Sequence, residues 1–238
     1  MSFFSRLLLL PLGSYEYHGT ELPPDTDTTI ARSAAAALEE RLANSFAGTT
    51  LLLPAVPFGI AMEHSGLPNT AFVSHIAYYT FIRDLFQSLA APRDLIVVIN
   101  GHGGNNTALS SLESEFNYSH ADRKVFCPSL YPRPIQSYCV EIFGEFDAHA
   151  GSVEASLIAY YDKKELRQYE VRVPSFVRGA FRFFRTSEVT QDGVIKQSPV
   201  VFADPARGCK LHGAIVNTLH EAVIGITGEL STVMLSKE

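Results

Sequence analysis

The feature that most constrains this chain is the apolar run Leu7–Leu12, which passes without a break into a loop crowded with acids and imidazoles. A strand with no polar alternation has to be covered on both faces, and such strands occur in parallel sheets packed between helices. A second run of the same kind, Leu95–Ile99, ends directly in the glycine-rich loop Asn100–Asn105. Elsewhere the apolar residues take up helical spacing, as in Ile30, Ala34, Leu38 and Leu42, or Tyr78, Ile82, Leu85 and Leu89, or Ala108, Leu109, Leu112 and Phe116. Asp27 or Thr28 is placed to cap the first of these helices. Thr50–Leu53 and, more weakly, Lys124–Cys127 read as further strands, and Gly151–Tyr161 reads as a helix. A tail from about Leu211 to Met234 reads as a helix turning Ile215, Leu219, Val223 and Ile226 inward. Residues 128–146, rich in aromatics and proline, show no regular element, and Lys163–Glu188 is mixed. The alternation of strand and helix predicts an α/β sandwich with a mostly parallel central sheet. Ligands of such sheets sit beyond the carboxyl ends of the strands, where the two histidine loops can converge.

The 238 residues suffice for a substantial core, and 46% hydrophobic against 18% charged residues is a folded, not a disordered, composition. A formal net charge of −6 gives no electrostatic case for nucleic acid or an anionic membrane as partner. Cys127, Cys139 and Cys209 are widely spaced and form no C-x-x-C pair, so they read as free thiols in a reducing, cytoplasmic setting. The N-terminus, with Arg6 before the apolar run, mimics a short signal peptide. It lacks an A-x-A-like cleavage site, and cleavage at the usual length would remove Glu16 and His18, so a buried first strand is the better reading. No stretch approaches the ~18 uninterrupted apolar residues of a membrane span.

Three loops carry the chemistry. Gly13–Asp27 gathers Glu16, His18, Glu21, Asp25 and Asp27, and carboxylates with imidazoles are the donors a hard or borderline divalent cation requires. Side chains two apart in an extended segment point the same way, so Glu16 and His18 can face one cluster, with Asp27 across a loop stiffened by Pro23 and Pro24. In Asn100–Asn105 (NGHGGN) the glycines could cradle a phosphate with backbone N–H groups, but His102 adds nothing to that and is a natural metal ligand. The same glycines let a substrate approach, and Gly103 and Asn105 are counted as substrate contacts. In the third loop, Asp147–Glu154, Glu154 shares a face with Leu157 and Ile158, where a carboxylate has to be paired with an arginine or metal-bound. His64, in the irregular loop Phe58–Thr70, is placed to line the pocket. His75 and His120 read as ordinary surface or core residues, His212 and His220 as structural residues of the terminal helix, and Phe126, Tyr131, Tyr138, Phe143 and Phe146 as core or subunit contact.

Taken together, GSYEYHGTELPPDTD, NGHGGN and DAHAGSVEAS resemble the signatures of the creatininase family of metal-dependent amidohydrolases, with Phe58-Gly, Glu63-His64, Pro68-Asn-Thr70 and Ala203-Asp-Pro205 as weaker matches. The resemblance implies one three-layer α/β/α domain over residues 1–238, a homo-oligomer (commonly a hexamer), and a centre of two divalent metal ions, Zn, Mn or Fe. On matching positions it makes Glu16, His18, Asp27 and His102 metal ligands with Asp27 bridging, His149 the acid/base residue, and Glu154 a ligand or site carboxylate with a catalytic part. The chain departs from the family at Glu21, where many members have a second His, and at Gly104, a ligating Glu in true creatininases. It also lacks tryptophan, which walls the substrate in creatininase itself. Creatinine is therefore disfavoured. The expected substrate is a small-molecule or short-peptide amide: a formamide, a cyclic amide, or a modified peptide such as the mycofactocin precursor. The alternative is a non-catalytic protein that binds a metal or a phosphate-bearing ligand on the same fold.

Overall fold

A computed structural model describes residues 2–147, 149–165, 167–172, 184–190 and 192–236. Strand β1 (Arg6–Leu12) is flanked by β2 (Thr49–Leu52) and β3 (Asp94–Asn100), with β4 (Lys124–Phe126) beyond, in the order β2-β1-β3-β4. All three pairings are parallel. Helices α1 (Thr26–Leu42), α2 (His75–Leu89) and α3 (Asn106–Ser119) are interleaved with the strands. Then follow α4 (Arg133–Phe143), α5 (Ser152–Tyr161), β5 (Arg167–Glu170), α6 (Thr186–Val189), β6 (Val200–Ala203) and α7 (Pro205–Leu235). Strands β5 and β6 form a separate antiparallel pair.

The unbroken apolar runs are explained by burial on both faces. Leu7, Leu9, Leu95, Val97 and Ile99 pack with Ile30 and Leu38 of α1, Leu157 of α5, and Leu211 and Leu219 of α7. The alternate residues Leu8, Leu10, Leu12, Ile96 and Val98 pack with Tyr78, Ile82 and Phe86 of α2 and with Leu109, Leu112 and Phe116 of α3. Period-two side chains of one sheet thus feed two helical layers, giving the α/β/α arrangement. Among the described residues no helix is long and apolar enough to cross a membrane.

Register places the site. Leu12 pairs with Asn100, and the Gly101 N–H donates to the Leu12 carbonyl at 2.8 Å. On the other side Leu12 bridges to Val56, and the Gly13 N–H donates to the Val56 carbonyl at 3.0 Å. The loops after β1, β2 and β3 therefore leave the sheet at one level, the first between the other two.

Three expectations change. Residues 128–146 contain α4, whose Pro134 sits in the first turn, where the missing N–H has no helical partner to lose, and whose end is Gly144 at φ 84. The last helix starts at Pro205, capped by the Asp204 carboxylate, which accepts from the N–H groups of Ala206 and Arg207. Asp27 and Thr28 lie inside the first turn of α1 and do not cap it. Part of Lys163–Glu188 lies outside the described residues.

Close approach at the strand ends requires Gly101, because a Cβ there would stand 2.2 Å from the Asp27 carbonyl oxygen, whereas a Cβ at Gly103 would meet nothing within 4 Å. Gly101→Ala should therefore lower stability by ~1–3 kcal/mol, the usual overpacking cost, and Gly103→Ala should leave the melting temperature unchanged. Thermal unfolding of the two variants checks this, and equal melting temperatures would contradict the register argument.

Candidate metal centre

The three histidine loops meet at the carboxyl edge of β1 and β3, joined by the loop after β2. Asp27, in the first turn of α1, is buried at the middle. Its Oδ2 accepts from Ser14 Oγ at 2.7 Å and lies 2.9 Å from His102 Nδ1, and its Oδ1 is 3.3 Å from His18 Nε2. Glu16 is buried beside it, with Oε2 3.3 Å from His102 Nδ1 and Oε1 3.3 Å from His64 Nε2 and 3.6 Å from His149 Nδ1. Glu154 Oε2 accepts from the Ala150 N–H at 2.7 Å and stands 3.9 Å from His18 Nε2. Its partners are thus a backbone N–H and an imidazole, and no arginine pairs with it among the described residues.

The imidazoles are oriented by main-chain carbonyls, which only accept. His18 Nδ1 faces the Glu16 carbonyl at 2.9 Å, His102 Nε2 the Ile60 carbonyl at 2.8 Å, and His149 Nε2 the Tyr17 carbonyl at 2.8 Å. Each ring must donate from that nitrogen, which turns the other nitrogen into the site, as ligating histidines are commonly held. His149 is fixed further by its own backbone, paired antiparallel with Ile195, and by Ala150 in a left-handed conformation at φ 55. Its ring stacks on His64, centroids 4.2 Å apart, and His64 Nδ1 lies 2.9 Å from Thr186 Oγ1 of α6.

These donors fit a cation. In each of three groups, Glu16/Asp27/His102, His18/Asp27/Glu154 and Glu16/His18/His149, one donor atom per residue lies within 4.8 Å of the others. Both Glu16 oxygens and His18 Nε2 are buried without any hydrogen-bond partner, a costly condition unless an ion satisfies them. Without a cation the charges are balanced by protons. Burial pushes the Glu16 carboxyl up, but the fields of His102 and His64 outweigh it and hold it at about 2. Burial pushes the His18 imidazole down, yet Asp27, Glu154 and Glu16 raise it to about 10, and His102 is raised by Glu16 and Asp27 in the same way. Burial, with the Asp27 and Asp147 charges, lifts Glu154 to about 8 against the pull of His18. His149 is pushed well below its ordinary value, by burial and then by His64 and His18, and stays neutral.

A cleft of about 160 Å³ exposes Glu16, Asp27, His64, His102, His149 and Glu154, walled also by Glu63, Gly103 and Gly104. A second, of about 270 Å³, adjoins it at His102, Gly103 and Glu154 and is lined by Asn106, Leu130, Tyr131, Gln136 and Phe146. The structure thus brings together Glu16, His18, Asp27, His64, His102, His149 and Glu154, with Gly103 in both clefts. Asn105 is corrected: fully buried, it accepts from the Ile60 N–H and donates to the Gly13 carbonyl and Asn100 Oδ1, so its amide ties three loops together and is spent. Tyr131, read as core or subunit contact, packs against the main core and also lines the second cleft, and Phe146 stands on the same cleft wall. Glu21 lines a separate cleft with Tyr17 and Tyr169. A side chain at Gly104 would meet the Ile60 carbonyl at 2.1 Å and His102 Nε2 at 2.5 Å, so no carboxylate can come from that position here.

A parallel sheet whose carboxyl edge gathers buried carboxylates and carbonyl-oriented imidazoles, with both Glu16 oxygens and His18 Nε2 lacking a partner, has the donor set of a metal-binding α/β/α protein. The chain belongs to the creatininase family, whose model, described as creatinine amidohydrolase, matches residues 5–223. A mycofactocin precursor peptide peptidase of Mycolicibacterium smegmatis is 31% identical over 154 residues, 65% of this chain and 57% of that protein, so the matched stretch spans little more than half of that relative. The protein of that name from Mycobacterium tuberculosis is 27% identical over 227 residues, 90% of this chain and 82% of the relative. A solved structure described as creatininase Mn shares the fold at a TM-score of 0.71 and 19% identity, covering 92% of this chain and 90% of that one.

Because Asp27 belongs to two of the donor groups, Asp27→Ala should abolish cation binding at either group. Glu154→Gln should affect only the group that contains it, read by elemental analysis after dialysis, and equal loss of metal in the two variants would contradict the grouping. Cation binding has to displace protons from His18, His102 and Glu154, all raised in the cation-free protein. Affinity should therefore rise with pH between 6 and 8, measured against a chelator, and a flat profile would contradict that proton balance.

Proposed function

We propose that residues 1–238 form one metal-dependent amidohydrolase domain that cleaves an amide C–N bond, with a short modified peptide favoured over a formamide or a cyclic amide as substrate. The observation that carries this reading is the set of orphaned, buried donor atoms of Glu16 and His18 around Asp27, with Glu16 and Asp27 on a cleft of about 160 Å³ that adjoins the larger one of about 270 Å³. The peptide preference rests on the relatives, whose names are those of peptidases acting on a precursor peptide.

Glu16, Asp27 and His102 would hold one divalent cation and His18, Asp27 and Glu154 a second, with Asp27 shared; Zn, Mn and Fe all suit imidazole and carboxylate donors. Bound there, the cations would supply Lewis-acid charge that lowers the pKa of a water and polarises a carbonyl. Glu154 takes the place of the carboxylate that Gly104 cannot provide. His149 is the proton carrier. Its Nε2–H is committed to the Tyr17 carbonyl, so the lone pair is on Nδ1, facing the site. A neutral imidazole can accept a proton there and pass it to the departing nitrogen. His64, held through Thr186, sets its Nε2 3.3 Å from Glu16 Oε1, while His102 stands 3.3 Å from Oε2. The assembly is read as a homo-oligomer, a hexamer by family resemblance, and Phe58, Met62, Phe72 and Ile76 offer exposed apolar side chains for it. A cytoplasmic setting suits the three free thiols.

Cation-loaded His149→Ala should keep its metal and lose turnover by a factor of about 10²–10⁴ on formamides, lactams and short peptides. Normal turnover in that variant would remove His149 from its role. Loaded wild-type protein inert toward the whole panel would favour a non-catalytic binding protein.

A further inference from the structure

Four carboxylates line the 160 Å³ cleft: Glu16, Asp27, Glu154 and Glu63. The first three each belong to a donor group of the metal centre, whereas Glu63 belongs to none among the described residues. It comes from the single turn Met62–His64, which also sends His64 Nε2 to within 3.3 Å of Glu16 Oε1. Glu63 is only half-buried, so unlike the enclosed Glu16 it stays open to the cleft. Its Oε1 lies 3.2 Å from the point where a Cβ of Gly104 would stand, and a Cβ on Gly103 would meet nothing within 4 Å. The two bare glycines therefore leave room beside this carboxylate, along the His102 wall of the cleft. Among the described residues, the lysine and arginine ion pairs are all made with other acids. A carboxylate in a confined cleft, outside every donor group and without a cation of its own, is complementary to positive charge arriving with the ligand. A short peptide brings such a charge, because its α-amino group is protonated near neutral pH.

We propose that the Glu63 carboxylate is a specificity residue that accepts hydrogen bonds from a protonated amine on the carbon next to the scissile carbonyl, as in an unblocked amino-terminal residue. The inference rests on the metal-centre reading and deepens it by naming the substrate class, an amide of an amino acid or short peptide whose α-ammonium lies in the cleft. A cleft of this size holds few heavy atoms beyond the reacting carbonyl, so the ammonium has to sit close to it. Formamides and lactams that carry no amine would leave Glu63 unmatched.

The test uses zinc-loaded protein at about pH 7, with acetohydroxamate and glycine hydroxamate, which differ by one ammonium group. Both mimic an amide and bind metal centres through oxygen. Wild type and the isosteric variant Glu63→Gln are compared for zinc content and for the affinity of each probe by calorimetry. Wild type should favour glycine hydroxamate. Glu63→Gln should hold as much zinc and bind acetohydroxamate as wild type does, yet lose about tenfold in affinity for glycine hydroxamate. An unchanged affinity for glycine hydroxamate would overturn the inference alone, since any preference would then come from chelation by the amine. Equal weakening toward both probes would overturn it by giving Glu63 a structural part, and lost zinc would overturn it by making Glu63 a ligand. Wild-type protein that takes up no zinc would sink the metal-centre reading, and this inference with it.

Discussion

The structure turns on one buried carboxylate. Asp27 is removed from water at the head of α1 with His18 against one oxygen and His102 against the other, while Ser14 donates to the second oxygen. An ionised group so placed is tolerable only if positive charge surrounds it, from protons on the imidazoles or from cations in their stead. The N-terminal turn of the helix adds a modest favourable field. The neighbours come from three separate segments: Glu16 and His18 from the loop after β1, His102 from the loop after β3, and Glu154 from the start of α5. Loss of the parallel register between Leu12 and Asn100 would strand these groups apart.

The far wall is built differently. It does not follow from the sheet but from the segment before α5, where Asp147 accepts from the Val153 N–H and Glu154 reaches back to the Ala150 N–H. Burial lifts the Asp147 carboxyl to about 6 even though the Val153 N–H and Lys196 draw it down. Lys196, buried itself, donates to Ser152 Oγ and pairs with Glu145 Oε1 at 3.2 Å. The left-handed Ala150 between His149 and this helix marks local strain of the kind held at functional positions. The centre is thus closed by two independent devices, strand register on one side and a capped helix start on the other.

Much of this was legible in the amino-acid sequence, for a physical reason. Unbroken apolar runs such as Leu7–Leu12 fit few environments, and acids with imidazoles in glycine loops at their ends fit fewer still, so sheet and donor set could be read together. What stayed hidden was set by long-range contacts. An asparagine amide at position 105 serves a substrate or a loop clamp equally well, and only the positions of Ile60 and Gly13 decide between them. Tyr131 and Phe146 carry the same side chains whether they fill a core or wall a cleft. His64 sits in a stretch without periodicity, so its approach to Glu16 left no local signal. Helix α4 was masked because prolines mark a helix start as readily as a loop.

The central claim is that two cations share Asp27. The most direct measurement is low-temperature electron paramagnetic resonance of the protein loaded with two equivalents of Mn(II). A shared carboxylate predicts the broadened, many-line signal of a spin-coupled pair. A plain six-line signal of isolated Mn(II) at full loading, or no uptake of a second equivalent, would contradict it.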